Sequence, residues 1–344
     1  MERCGISNPI RCREGKPTTS VDWIASGNIR LADGHTAESR RDGSAVKGPG
    51  IANETRGYLR WENQKKGGLS MTSDTGAQII DKAKEIGASM AGIANVELLK
   101  KSPSHEIIKK LGMEIDGVNP YGEICDFDEI KWPAEARSAL VIAVSHPRDK
   151  PELDWWDGLK GTIGNSELIR INRELSAWIE ETFNIKTHKL SYFIEKGGIY
   201  LKDTAVLAGL GCIGKNNMLV TPELGPKIRL RALLLEENLT PTGPIDFDPC
   251  DGCEEFCSKA CPQNAFEKIV ISSAETGFAS LPGRNGCYSR FTCMIQSSKS
   301  GKDDEDSGID ENKMFPAVDI EDIDRTNNYF ETCRQCDLAC PVGI

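Results

Sequence analysis

The sequence predicts an α+β chain: an α/β core followed by a loop-rich, cysteine-dense module. Three observations predict it. Between residues 71 and 240, apolar residues recur at helical spacing and as short strand-like runs. Nine of the thirteen cysteines crowd between Cys250 and Cys340, seven of them in two CxxC-type motifs. Residues 1–70 show neither pattern.

That first stretch is rich in Gly, Ser, Arg and Asn and holds few apolar clusters, so it reads as disordered or as a non-native extension. It carries 12 Lys+Arg against 8 Asp+Glu, whereas residues 71–344 carry 30 against 44. The character changes at Met71, which reads as a candidate start of the folded chain. The Gly67-Gly68 pair just before it is compatible with a ribosome-binding site in the gene. Asp33-Gly34-His35 resembles the start of a corrinoid-ligand motif but lacks its glycine, and it is set aside.

The core runs from 71 to 240. Asp74 can cap a helix whose Ile79, Ile80, Ala83 and Ile86 share one face, with Gly87 as its stop. A strand-like run covers 89–93, and 139–144 reads as a buried strand. Asn165 or Ser166 opens a long helix with Leu168, Ile171, Leu175, Trp178 and Ile179 as its buried stripe. Residues 190–194 and 228–235 read as strands. Between them a short helix leads into the glycine-rich turn 208–217. From 241 the chain becomes the cysteine module, interrupted by an acidic surface insertion at 303–311.

Composition narrows the function classes. Hydrophobic residues are 39% and charged residues 27%, as in an ordinary globular protein. No apolar run reaches the ~18–20 residues that cross a bilayer, and no secretory signal is visible, so no membrane role and a cytoplasmic location are expected. The acidic balance after residue 70 is a poor match to nucleic acid, whose binding rests on phosphate neutralisation.

The cysteines carry the chemistry. The first motif is Cys250-x2-Cys253-x3-Cys257-x3-Cys261-Pro262, and the second is Cys333-x2-Cys336-x3-Cys340-Pro341. Two-cluster ferredoxins use C-x2-C-x2-C-x3-C-P, in which the fourth Cys serves the other cluster. Here one extra residue separates Cys253 from Cys257, which a bulge in the loop can absorb. The reading is two [4Fe–4S] clusters. Ligand swapping gives one cluster Cys250, Cys253, Cys257 and Cys340. The other takes Cys261, Cys333, Cys336 and an eighth ligand, Cys287 or Cys293. Structural zinc also takes four thiolates, but interleaved motifs ending in Cys-Pro point to iron–sulfur loops.

The segment Ala208-Gly209-Leu210-Gly211-Cys212-Ile213-Gly214-Lys215-Asn216, followed by a strand and the double-cluster motifs, resembles the epoxyqueuosine reductase and reductive dehalogenase family. The resemblance covers roughly residue 72 to the C-terminus. It implies a nitroreductase-like α/β core, a ferredoxin-like cluster module and a bound cobalamin. The corrinoid would lie near Gly209, Gly211, Gly214, Lys215 and Asn216, where glycine permits close backbone approach. The family's short segment before the second motif favours Cys287 as the eighth ligand. A proton donor upstream of the glycine-rich turn corresponds to Glu195, with Tyr192 and Tyr200 nearby as the dehalogenase-type alternative. Gly197-Gly198 stands where the family carries Ala-Pro.

The chain reads as a short form, ending before the family's helical-repeat domain, so tRNA is not expected as substrate. The expected activity is a cobalamin-dependent reductase fed by a ferredoxin or flavodoxin. Its substrate would be a small molecule or a protein-bound corrinoid. The alternative is an electron-transfer or reductive-activation protein that reduces a partner's cofactor.

Overall fold

The computed structural model describes residues 72–106, 129–156, 162–192, 194, 197–277, 284, 286–290, 292–293, 330–331 and 333–343. The readings of 1–70, Glu195 and the acidic insertion at 303–311 lie outside them.

The first helix begins two residues before the expected cap: α1 spans Thr72–Glu85, and Gly87 ends it at φ 117°. After β1 (Met90–Asn95) comes the single turn α2 (Val96–Leu99), whose N-cap Asn95 accepts the Leu98 amide at 3.0 Å. Next come β2 (Ser138–Ser145), a 3₁₀ turn at Pro151–Asp154 and the short β3 (Trp155–Trp156). The long helix α3 spans Ile163–Phe183. Its cap is Thr162, which accepts the Asn165 amide. Asn165 and Ser166 are instead buried in the first turn, where side chains that face the core are unavailable for capping. Asn184, left-handed at φ 55°, closes the helix.

The remaining core elements are β4 (Thr187–Lys189), α4 (Leu201–Leu207), the two-residue strands β5 (Cys212–Ile213) and β6 (Leu219–Val220), and β7 (Ile228–Leu235). After them α5 (Phe256–Lys259), α6 (Ser273–Thr276), β8 (Phe330–Glu331) and α7 (Gln335–Leu338) lie among loops.

Four strands form the main sheet in the order β1-β2-β7-β4, antiparallel at every pairing. Side chains of successive strand residues alternate between its faces. Ala139, Val141, Ala143, Leu230 and Leu234 meet α2 and α4 on one side, through Leu99, Ala205 and Val206. Leu140, Ile142, Leu233 and Leu235 meet α1 and α3 on the other, through Ile79, Leu168, Ile171, Leu175 and Ile179. Each of the Val, Leu and Ile side chains among these contributes roughly 1.5–3 kcal/mol on burial.

One strand is displaced from its expected place. The run 190–194 reads as a strand, yet the pairing lies at β4, where Thr187, His188 and Lys189 oppose Leu235, Leu234 and Leu233. Leu190 leaves the sheet to pack on the α2/α4 side.

One end of the sheet gathers polar and charged groups. Ser145 pairs with Ile228, so His146 and Arg229 emerge together there. The last described segment docks on this end. Arg148 donates to the Leu338 carbonyl at 3.2 Å and Lys227 to that of Val342 at 3.1 Å.

Candidate metal centre

Local backbone geometry first brings the cysteines round. Gly252 (φ 68°) and Glu255 (φ 58°) are both left-handed within the first motif. Glu255 is one of the three residues between Cys253 and Cys257, so the extra residue is absorbed in this turn, as a bulged loop would. Cys257 then sits on α5 and Cys336 on α7.

Cys250, Cys253, Cys257 and Cys340 line one cavity, with Lys215, Asn216 and Val220 of the glycine-rich hairpin as its wall. Thiols from both motifs therefore meet at one place. Burial pushes the Cys257 thiol up, and the neighbouring Cys250, Cys340 and Cys253 add to it. The Cys340 thiol is raised likewise. Crowded thiols hold their protons until a cation draws them off, and metal binding would release them. Among the described residues no three His, Cys, Asp or Glu side chains close on a single ion-sized point. The four thiols share the lining of one cavity instead.

The rim of this cavity is polar. Lys215 pairs with Glu255 at 2.7 Å. That contact raises the lysine's pKa, and the Cys250 and Cys253 thiolates would hold it up further. On the other flank Arg284 forks onto Asp248, whose Oδ1 accepts the Cys250 amide at 3.0 Å. Cys212, outside both motifs, is a neighbour of Cys250. Burial first, and that neighbour second, push its thiol to about 12.

The glycines divide by task. A Cβ on Gly211 would stand 2.0 Å from the Val220 carbonyl oxygen across the hairpin. Gly209 (φ 75°) lies against Gly243, where the same atom would meet a Cα at 2.9 Å. Gly214 faces Cys250 Sγ, 3.6 Å from its ideal Cβ position. Close packing of the hairpin thus accounts for Gly209 and Gly211, while Gly214, Lys215 and Asn216 adjoin the thiol cavity.

The second group is more enclosed. Burial raises the Cys336 thiol, with Asp337, Cys293 and Cys333 next among its neighbours. Burial also raises Cys293, offset in part by a hydrogen bond with Tyr288, and its neighbours are Cys333 and Cys261. Cys287 is different: its thiol is raised by burial and by Glu255, on the rim of the first cavity. The structure brings Cys293, rather than the expected Cys287, among Cys261, Cys333 and Cys336. The cause is a local turn. Ser289 Oγ accepts the Thr292 amide at 3.2 Å and its carbonyl the Cys293 amide at 3.1 Å, which carries Cys293 inward. The Ser289-x-x-Thr292 pair is the sequence signal for that turn.

Beside this group lies a charged cluster that spacing alone does not reveal. His146, Asp154, Arg334 and Asp337 are at most 4% exposed. His146 Nδ1 donates to Asp154 Oδ1 at 2.9 Å. Burial lowers the His146 pKa more than that contact raises it. Burial pushes Asp154 up, but His146, Arg229 and Arg334 together hold its carboxyl below the usual range. Asp337 is raised, chiefly by burial, against the pull of Arg229 and Arg334.

Of the expected proton donors, Tyr200 is 5% exposed, with its ring edge-on to His105 at 5.0 Å. The Arg231 guanidinium lies over the Tyr192 ring at 5.1 Å.

A sheet packed by helices, with a cysteine-lined cavity against a glycine-rich hairpin, defines the class as a mixed helix–sheet protein. No family model matches the chain. Tetrachloroethene reductive dehalogenase of Desulfitobacterium hafniense is 33% identical over 213 residues, covering 48% of this chain and 39% of that protein. Epoxyqueuosine reductase of Staphylococcus aureus is 26% identical over 217 residues, 58% of this chain and 54% of that one. The structure of epoxyqueuosine reductase from Streptococcus thermophilus matches with a TM-score of 0.50 at 22% identity, over 78% of this chain and 65% of that one. The chain thus spans about two-fifths to two-thirds of these three proteins' lengths. By sequence it is a homologue of reductive dehalogenases and epoxyqueuosine reductases, and its fold is of the epoxyqueuosine reductase type. Among the described residues, no helix is long and apolar enough to cross a membrane.

Proposed function

We propose that this protein is a cytoplasmic iron–sulfur oxidoreductase of the epoxyqueuosine reductase-like type. Its core at 71–240 would present a substrate or corrinoid, and its module at 241–344 would carry two [4Fe–4S] clusters. The observation that supports this best is the convergence of Cys250, Cys253, Cys257 and Cys340 on one cavity walled by Lys215 and Asn216. Cys261, Cys293, Cys333 and Cys336 would hold the second cluster.

When bound, the clusters would supply one-electron transfer and a cobalamin the low-potential reductant for the substrate. The protein's own residues do the rest. The Lys215–Glu255 pair and the Asp248–Arg284 fork order the rim and fix the Cys250 loop. The buried apolar layers at the sheet end hold the hairpin against the thiols. Proton delivery is assigned to Glu195, with Tyr192 or Tyr200 as the alternative. Electrons would come from a ferredoxin or flavodoxin.

Anaerobic reconstitution with iron, sulfide and cobalamin, followed by visible and EPR spectroscopy, tests the proposal. Two clusters and stoichiometric cobalamin are expected. Two clusters without cobalamin would point to a protein that reduces a partner's cofactor, and no iron–sulfur signal would overturn the reading.

A further inference from the structure

Arg334 lies between Cys333 and Cys336, and both of its terminal nitrogens reach the sheet end. Nε donates to Asp337 Oδ2 at 3.1 Å, and Nη2 to the His146 carbonyl at 2.5 Å. Nη1 meets Asp154 Oδ2 at 2.9 Å and the Pro147 carbonyl at 3.5 Å. Asp154 in turn takes Arg229 Nη2 on Oδ1 at 2.6 Å, and that nitrogen stands 3.7 Å from Asp337 Oδ2. Two guanidinium groups and two carboxyl groups thus alternate in a closed set, buried except at Arg229, whose side chain is 21% exposed. Asp154 and Arg229 belong to the sheet end, where the His146 carbonyl joins them, and Arg334 and Asp337 belong to the cysteine loop.

The site is shaped for this set. A Cβ on Gly164 would stand 2.2 Å from His146 Nε2, so a glycine at the start of α3 is what lets the imidazole lie where it reaches Asp154. Such a set is an expensive way to hold two segments together, because burying the charges costs more than an apolar contact of the same size would. Its value lies in geometry and charge. A planar guanidinium that forks onto two partners fixes the loop's orientation, which an ammonium cannot do in the same way. A unit charge in a water-poor site also acts on neighbouring charges far more strongly than one in solvent.

We propose that Arg334 is a positioning residue for the second cluster: it pins the Cys333–Cys336 loop to the sheet end and holds a fixed positive charge beside that cluster. The inference rests on the iron–sulfur reading above. A cluster gains one negative charge when it accepts an electron, with no bond made or broken. A neighbouring cation therefore favours the reduced form and raises the reduction potential.

The test is an EPR-monitored redox titration of the full chain after reconstitution with iron and sulfide, using dithionite as reductant. In Arg334→Gln, iron and sulfide content should match the wild type. At a given potential, the reduced-to-oxidised ratio of one cluster should fall about tenfold, 59 mV for one electron, while the other stays unchanged. Arg334→Lys should recover most of the potential yet broaden that cluster's EPR signal. Asp154→Asn, which removes a negative charge beside the Arg334 guanidinium, should shift the same cluster in the opposite direction. If Arg334→Gln fails to load its second cluster, the Lys and Asn variants decide. Fully loaded variants whose two potentials equal those of the wild type, or shift alike, would overturn the inference. Failure of the wild type itself to bind iron and sulfide would instead remove the reading beneath it.

Discussion

From Thr72 to Leu239 the chain is held by two apolar layers on either side of an antiparallel sheet. After Leu239 the buried apolar residues described are Cys257, Ala265 and Ile271, while Phe256, Ile269 and Val270 are exposed. The sheet region is built on two buried apolar layers. Among its described residues the cysteine region has little apolar burial, and it consists of single-turn helices, loops and one two-residue strand. A segment of that kind needs cross-links to offset its conformational entropy. The contrast teaches that the clusters proposed here would be structural as well as electronic, with the Arg334 set tying the weaker region to the stronger.

The contrast breaks most visibly when metal is taken away. Chelating iron under air should unfold the cysteine region, a loss on the order of 10 kcal/mol by analogy with other thiolate sites. The sheet region should stay folded. Limited proteolysis read by mass spectrometry should show rapid cuts between 250 and 343 and protection from 72 to 239; equal protection of both would sink the comparison.

Within the cysteine region, Cys293→Ser should remove about half of the iron and Cys287→Ser very little, by iron analysis after reconstitution. The reverse result would restore the family-based assignment of the eighth ligand. In the sheet region, Leu140→Ala removes a side chain 1% exposed. It should cost about 2–5 kcal/mol in denaturant titration, with visible spectra of the clusters unchanged.

Acidification should act on the junction of the two regions. Asp154 has a depressed pKa, so its stabilisation is present above the unfolded carboxylate value and is lost as pH falls through the folded one. His146 is also depressed, so the unfolded chain binds its proton first and stability declines as pH drops below about 6.5. Both have the same sign. Unfolding midpoints measured from pH 7 down to 4 should fall, and Asp154→Asn should flatten the lower part of that slope.

The smallest effect is expected at the rim. Lys215 and Glu255 form a partly exposed ion pair, and Lys215→Ala should change stability by about 1 kcal/mol or less. A larger loss would mean that the pair supports the first thiol cavity more than its exposure suggests.

Much of this molecule is legible in its sequence because the signals are local and periodic. The strand at Ile228–Leu235 is read residue for residue from its apolar pattern. The run 139–144 marks β2, and Gly87 marks the end of α1. Cysteine spacing names the thiols that meet in the first cavity, since a short loop between ligands constrains where they can reach. Signals that depended on a competition were misplaced. Thr162 rather than Asn165 caps α3, because the core claims Asn165 and Ser166. β4 ends at Lys189, and Leu190 packs on the α2/α4 side instead.

The sequence by itself therefore determined the kinds of element, their order, the two cysteine motifs and the likeness to reductive dehalogenases and epoxyqueuosine reductases. Tertiary structure alone decided which residues from distant segments share a site. It brought Cys293 in place of Cys287 to the second thiol group, and set Lys215 and Asn216 against the first. It also closed His146, Asp154 and Arg229 around Arg334 and Asp337, well over a hundred residues further along the chain. The physical reason is that spacing reports only on neighbours along the chain. A buried charge must find its partner wherever the fold places one, and that choice is written in packing rather than in any local pattern.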